Sequence, residues 1–423
     1  MKCKREEAQM KRLLVLFALE FLLLGHSHAQ QFPHIQPAMP GDFAIMAWDN
    51  APSDSALLEG IKDAGMNIAG FCKAEDVDRI QAAGLTCFLQ DPQLSNYNWD
   101  APPAEESVRK DVGALAHSFG DNPAVLGVFL TDEPRIHQMP AIGRVVQLLR
   151  EAMPGKLPYV NLFPYREGEV GWYTNYEDYV NSLIKAVHEP FLSFDNYSLS
   201  YEGMGDEFFT NLEIVRKTGL ESKTPFWSCI QAVAHFGYLV PSDATLHLQV
   251  YSTLAYGGRG IQYFTYFTPQ RGNYRMGAID QFGHRTPTWD ALRRINGEIN
   301  ALAPTLAKLR STGVYHYPDV PKHGRPLSES GLVRWISMVK DEDGYVPPSV
   351  EARFLIGEFE NENRGTYMMI VNKDLTYSFR FDIEFKRKVH RILRINPYTG
   401  QEEPFTGEQN WLAPGGGILL RIE

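Results

Sequence analysis

Along this chain, short apolar runs alternate with longer stretches in which apolar residues recur every three to four positions. That is the pattern of a strand followed by a helix, repeated. Eight apolar runs predict strands at 43–48, 67–71, 86–90, 125–131, 158–161, 192–195, 225–230 and 260–266. Amphipathic stretches at 55–64, 104–119, 142–152, 206–218 and 288–309 predict helices between and after them. In Ala64-Gly65-Met66-Asn67 and Ala83-Gly84-Leu85-Thr86 a glycine marks where a helix stops before the next strand, because glycine takes the positive φ that closes a helix. Eight such units within residues 30–310 match a (β/α)8 TIM barrel, an α/β fold of ~250 residues or more.

Past residue 311 the texture changes. Runs at 332–339, 354–360, 366–371, 379–385, 389–395 and 417–422 alternate without helical period and are separated by turns such as Pro397-Tyr398-Thr399-Gly400. They predict a small antiparallel β-sandwich over 311–423. At the other end, Lys2, Lys4, Arg5, Lys11 and Arg12 precede an apolar run at 13–24, and the small residues Ser27 and Ala29 place a cleavage point after 29. Residues 1–29 therefore read as a signal peptide, interrupted only by Glu20, and the run is too short to span a bilayer. The expected location is secreted or periplasmic.

Charge narrows the partners. The chain carries 41 Lys and Arg against 51 Asp and Glu, a net charge of -10, which disfavours nucleic acid and anionic membranes because both require a basic face. Cys3 leaves with the leader, and Cys72, Cys87 and Cys229 lie in apolar segments as buried thiols, with a Cys72–Cys87 bridge as the alternative. No Cys/His cluster has zinc spacing, so neither a metal nor another cofactor is expected.

A parallel barrel collects its chemistry on the loops that follow its strands, so the residues at the eight C-terminal ends matter most. These are Trp48 and Asp49 after the first strand, Gln90 after the third, Asp132 and Glu133 after the fourth, and Asn161 after the fifth. Asp195 and Tyr197 follow the sixth, Trp227 and Gln231 belong to the seventh, and Tyr263 and Tyr266 to the eighth. Aromatic rings beside amides and carboxylates suit a sugar, whose C–H faces pack on rings while its hydroxyls exchange hydrogen bonds. Tyr263 alone reads better as core. The run 125–134 ends in Asp132-Glu133-Pro134, and Pro134 stops the strand because it has no N–H for the ladder.

Cleaving a glycosidic bond needs two carboxylates, one to protonate the leaving oxygen and one to act as nucleophile or to activate water. Glu133 is the expected general acid and Asp195 the expected second carboxylate, with Asp49 as a third candidate. The competing structural readings are a capping or ion-paired role for Glu133 and a hydrogen-bonded strand-end role for Asp195. Arg271, Arg275, His284 and Arg285, after the eighth strand, either read an anionic sugar or pair with local carboxylates, and the second reading is preferred.

The triplet Asp132-Glu133-Pro134 resembles the Asn-Glu-Pro that ends the fourth strand of clan A glycoside hydrolases, where the Glu is the acid/base. Residues 246–268, with Leu254-Ala255-Tyr256-Gly257-Gly258-Arg259-Gly260, are similar to the seventh helix and eighth strand of family 42 β-galactosidase-like barrels. Residues 397–400 and 412–422 resemble the small β domain that follows many of them. The resemblance implies a nucleophilic Glu at the end of the seventh strand, yet residues 225–231, Pro-Phe-Trp-Ser-Cys-Ile-Gln, hold no carboxylate. Three readings follow: Asp195 replaces it; Asp132 and Glu133 serve a substrate-assisted, hexosaminidase-type reaction; or the barrel binds glycan without cleaving it. The first is preferred.

Overall fold

A computed structural model describes residues 43–188, 191–339, 347, 349–407 and 410–423. The expected signal peptide at 1–29 lies outside the described residues.

Eight parallel strands close into a barrel: β1 (Ala44–Ala47), β2 (Ile68–Cys72), β3 (Thr86–Leu89), β4 (Val125–Asp132), β5 (Leu157–Leu162), β6 (Leu192–Phe194), β7 (Phe226–Gln231) and β8 (Gly260–Phe264). Neighbours in sequence are neighbours in the sheet, and β8 returns to pair with β1 from Ala44 opposite Gly260. Around it run α1 (Ser55–Asp63), α2 (Val77–Ala82), α3 (Glu105–Phe119), α4 (Met139–Ala152), α5 (Tyr176–Val187), α6 (Asp206–Ser222), α7 (Asp243–Ala255) and α8 (Pro287–Leu306). Each strand is covered on both faces. Met46, Phe88, Tyr159, Phe191 and Trp227 fill the interior, while Ile45, Val128, Leu162, Ile230 and Ile261 pack outward on the helices. Double burial is why the strands read as continuous apolar runs.

Local signals set the helix ends. The Asp54 carboxylate accepts from the N–H groups of Ala56 and Leu57, and the Asn175 side chain accepts from Asp178, each satisfying donors that the first helical turn leaves open. In β4, a Cβ at Gly127 would lie 1.9 Å from the carbonyl oxygen of Leu157, so only glycine lets β4 and β5 meet there. The register between them then shifts from Phe129 to Thr131. Such a bulge re-aims the residues beyond it, and here it brings Asp132 opposite Asn161.

The C-terminal part holds β9 (Leu309–Tyr317), β10 (Val333–Met338), β11 (Phe354–Asn361), β12 (Thr366–Asn372), β13 (Phe379–Phe385), β14 (Ile392–Ile395), β15 (Glu402–Pro404), β16 (Trp411–Leu412) and β17 (Gly417–Ile422). One sheet has the order β9-β11-β12-β17-β14-β15 and the other β10-β13-β16. Phe354, Ile356, Met368, Ile370, Phe379 and Phe381 form the core between the sheets. The opposite face of the larger sheet, with Leu355, Phe359, Met369 and Leu419, joins the barrel's hydrophobic core. The helix expected to reach residue 309 ends at Leu306, and Leu309 already opens β9. Cys72, Cys87 and Cys229 are free and buried, so the alternative Cys72–Cys87 bridge is not formed.

Candidate active site

Three inward-facing residues on adjacent strands build the centre of the barrel mouth. Asn161, at the end of β5, donates from Nδ2 to Asp132 Oδ1 at 3.1 Å and to Asp195 Oδ1 at 2.8 Å. Its own Oδ1 accepts from the Ser193 hydroxyl at 2.8 Å. Beneath, Gln262 donates to Ser193 at 2.9 Å, and Trp48 Nε1 donates to the Tyr159 hydroxyl at 2.8 Å. This network fixes the amide's orientation, because Ser193 already occupies its oxygen and leaves the NH2 for the two carboxylates.

Glu133 follows with φ 48°, a left-handed conformation that costs a non-glycine residue about 1–2 kcal/mol. Its backbone is held on every side. The Glu133 N–H donates to the Asn161 carbonyl at 2.8 Å, Trp172 Nε1 donates to the Glu133 carbonyl at 2.9 Å, and the Tyr179 hydroxyl donates to the Pro134 carbonyl at 2.5 Å. Strain maintained by three surrounding bonds is typical of a residue whose direction matters.

The electrostatics follow from crowding. Burial pushes the Glu133 carboxyl up to about 8, the negative charges of Asp195 and Asp132 add to the rise, and the Arg166 guanidinium opposes it. Asp195, only 7% exposed, is pushed up to about 7 by burial and then by Asp132, against the Asn161 donor and Arg166. Asp132 is reached by solvent through the mouth, yet the protein around it raises its pKa too, with Asn161 opposing. Three carboxyls this close titrate as one group, so the cluster retains a proton near neutrality.

Of the other expected contacts, Trp48, Asp49, Gln90 and Tyr197 lie half-buried beyond the ends of β1, β3 and β6. Burial raises Asp49, although its Oδ1 accepts from the Asn50 N–H and Arg271 opposes the shift. The Tyr197 ring stacks on Phe264 at 4.9 Å. Three residues lie elsewhere than the sequence reading places them. Trp227 is the second residue of β7, stacked on Phe191 at 3.9 Å and pressed against Gly260, so it closes the opposite end of the barrel. Tyr266 packs outward, its hydroxyl accepting from Trp289 Nε1 at 2.9 Å. Gln231 ends β7 but is 1% exposed, its Nε2 donating to the Leu239 carbonyl at 3.1 Å and its Oε1 lacking a hydrogen-bond partner among the described residues. Tyr263 is core, bonded to Asn296 at 2.7 Å.

Among the cations, His284 pairs with Asp280 and Arg285 with Asp63, each at 3.4 Å. Sequence reasoning missed Arg166, Trp172, Tyr179 and His235. Arg166 and Trp172 come from the loop after β5, where the density of rings in Phe163, Tyr165, Trp172, Tyr173 and Tyr176 was the available signal. Arg166 pairs with Glu207 at 3.0 Å and faces the cluster electrostatically.

No family model matches this chain, and no curated protein matches it. Among solved structures, the fold is similar to a β-galactosidase from Bacillus circulans sp. alkalophilus, 9% identical, with a TM-score of 0.61 over 90% of this chain and 99% of that one. It is also similar to a family 5 glycoside hydrolase from Bacteroides vulgatus, 12% identical, with a TM-score of 0.52 over 90% and 88%. A β-galactosidase from the psychrophilic Marinomonas ef1, 12% identical with a TM-score of 0.49, is matched over 64% of this chain and 63% of its own length. These fold neighbours are glycoside hydrolases, and at such low identity the shared property is the fold alone.

Proposed function

We propose that this protein is an exported glycoside hydrolase acting on an oligo- or polysaccharide, with Glu133 as general acid and Asp195 as the second carboxylate. The observation that carries this reading is geometric: Glu133 stands at the C-terminal mouth of the barrel, its backbone fixed by Asn161 and Trp172, beside the Asp132 and Asp195 carboxylates that the Asn161 amide ties together, and burial among them raises its pKa. An acid that still holds its proton at pH 7 can deliver it to the glycosidic oxygen as the C–O bond breaks. Asp195 is the partner because Asn161 holds it in the same cluster while β7 ends in the buried amide of Gln231. Asp195 is recessed, which suits activation of a water from below the sugar. On this reading the resemblance to family 42 barrels would hold for the acid and not for a nucleophile on the seventh strand.

A second reading is favoured by the accessibility of Asp132, the member of the cluster that solvent reaches most easily. A 2-acetamido sugar could present its amide to Asp132 while Glu133 donates the proton. The test is a screen of p-nitrophenyl glycosides, including N-acetylhexosaminides, and of oligosaccharides, with the first-formed anomer identified by NMR. Cleavage abolished by Glu133→Gln supports the reading. Binding of glycans without any cleavage would show a noncatalytic barrel instead.

A further inference from the structure

Phe236 is the most exposed aromatic side chain in the loop after β7, 71% exposed, and unlike the more exposed Phe282, Tyr201 and Tyr398 it joins a cluster of rings that reaches the site. Its backbone takes φ 47°, again left-handed for a residue other than glycine. A single side chain holds it there: Asn273 Oδ1 accepts from the Phe236 N–H at 2.8 Å, and Asn273 Nδ2 donates to the Phe236 carbonyl at 2.8 Å. Next to this clamp, Ala234 and Arg275 exchange backbone hydrogen bonds of 2.9 and 3.0 Å, so the loops after β7 and β8 are zipped together. An apolar ring held in water by two hydrogen bonds to Asn273 and a strained backbone contributes little to the core. Its exposure is built into the loop rather than incidental.

The platform is continuous with the site. Tyr197, beside the carboxylate cluster, meets His235 edge-on at 5.6 Å; His235 stacks on Tyr274 at 4.9 Å with the rings 4° from parallel; and Phe236 meets both His235, at 5.2 Å, and Tyr274, at 6.3 Å. His235 is buried, so these rings pack on one another and join the exposed Phe236 at the rim to Tyr197 beside the cluster. An exposed ring face attracts the C–H face of a pyranose, and one held at the rim, away from the carboxylates, meets an outer sugar of a chain rather than a single glycoside.

We infer that Phe236 is a distal stacking platform for an outer sugar of the substrate, making the site selective for glycan chains over single glycosides. The inference rests on the hydrolase reading above and deepens it. The test compares cello-, xylo-, manno- and galacto-oligosaccharides, from disaccharide to hexasaccharide, with the p-nitrophenyl monoglycoside of the sugar that is cleaved. Phe236→Ala lowers the ratio of kcat/KM for the hexasaccharide over the monoglycoside by about tenfold, the loss expected for one stacked ring. Tyr398→Ala, which removes an exposed ring from the C-terminal sheets, leaves that ratio unchanged. An unchanged ratio in Phe236→Ala, or an equal fall in Tyr398→Ala, overturns the inference and leaves the hydrolase reading intact. If the wild type cleaves none of these glycans, the hydrolase reading falls and calorimetric binding decides the platform. About tenfold weaker hexasaccharide binding by Phe236→Ala sustains it, and equal binding or none overturns it.

Discussion

Replacing Glu133 with Gln should make the protein more stable at neutral pH while removing its activity. The folded-state carboxyl titrates near 8 against an ordinary value of 4.5, so its folded pKa is raised. Below pH 4.5 the group is protonated in both the folded and the unfolded chain and contributes no penalty. Between 4.5 and about 8 the unfolded chain releases a proton that the folded protein retains, so stability falls by about 1.4 kcal/mol per pH unit. At pH 7 the full difference is about 3 kcal/mol, and sharing of the proton with Asp195 and partial exposure reduce it to about 2 kcal/mol. Gln cannot ionise and escapes this loss. Urea denaturation of both proteins at pH 4.5 and pH 7 should therefore give equal stabilities at the lower pH and a variant more stable by about 2 kcal/mol at the higher. A variant that gains nothing between the two values would refute the claim that Glu133 holds a proton near neutrality. The same titration makes wild-type hydrolysis fall as pH rises through about 8, because the acid is then spent.

Asp195→Asn should lower kcat by roughly a hundredfold or more, measured on the best substrate from the screen; a mild effect would move the second role to Asp49 or to the substrate. Trp172→Phe keeps the stack on Phe163 at 4.2 Å but deletes the donor to the Glu133 carbonyl, so kcat should fall more than KM rises, with about 1 kcal/mol lost in urea denaturation. Gln231→Glu should restore no activity, since the position is sealed from the mouth, and should destabilise increasingly as pH rises because a buried charge lacks a partner. Faster hydrolysis by that variant would show that the end of β7 still serves the reaction.

The eight barrel strands were legible because burial on both faces leaves an unbroken apolar run for each, and the C-terminal runs because they are short, rich in β-formers and bounded by turns, alternating in β13 and buried on both faces in β11 and β12. The helix α7 was harder to read. Leu246, Leu248, Val250, Tyr251 and Leu254 bury it on nearly all sides, between barrel and larger sheet, so it has no polar face to reveal its period. At the site, Asp132, Glu133, Asn161 and Asp195 could be found as strand-end residues. Trp227 and Tyr266 could not be excluded, because a strand end has two sides and two levels. Gly260 admits the Trp227 ring to the closed end of the barrel, and Trp289 holds Tyr266 on its outer wall.

By itself the sequence determined the barrel, the sandwich, and the strand ends where carboxylates stand, since period and burial are local properties of the chain. Only the tertiary structure decided that one Asn161 amide ties Asp132 to Asp195, that Trp172 and Tyr179 hold Glu133 in place, and that Gln231 is covered. These depend on distances between residues far apart in the chain. The raised pKa of Glu133 depends on the same distances, because burial and the repulsion among three carboxylates exist only once the strands have closed.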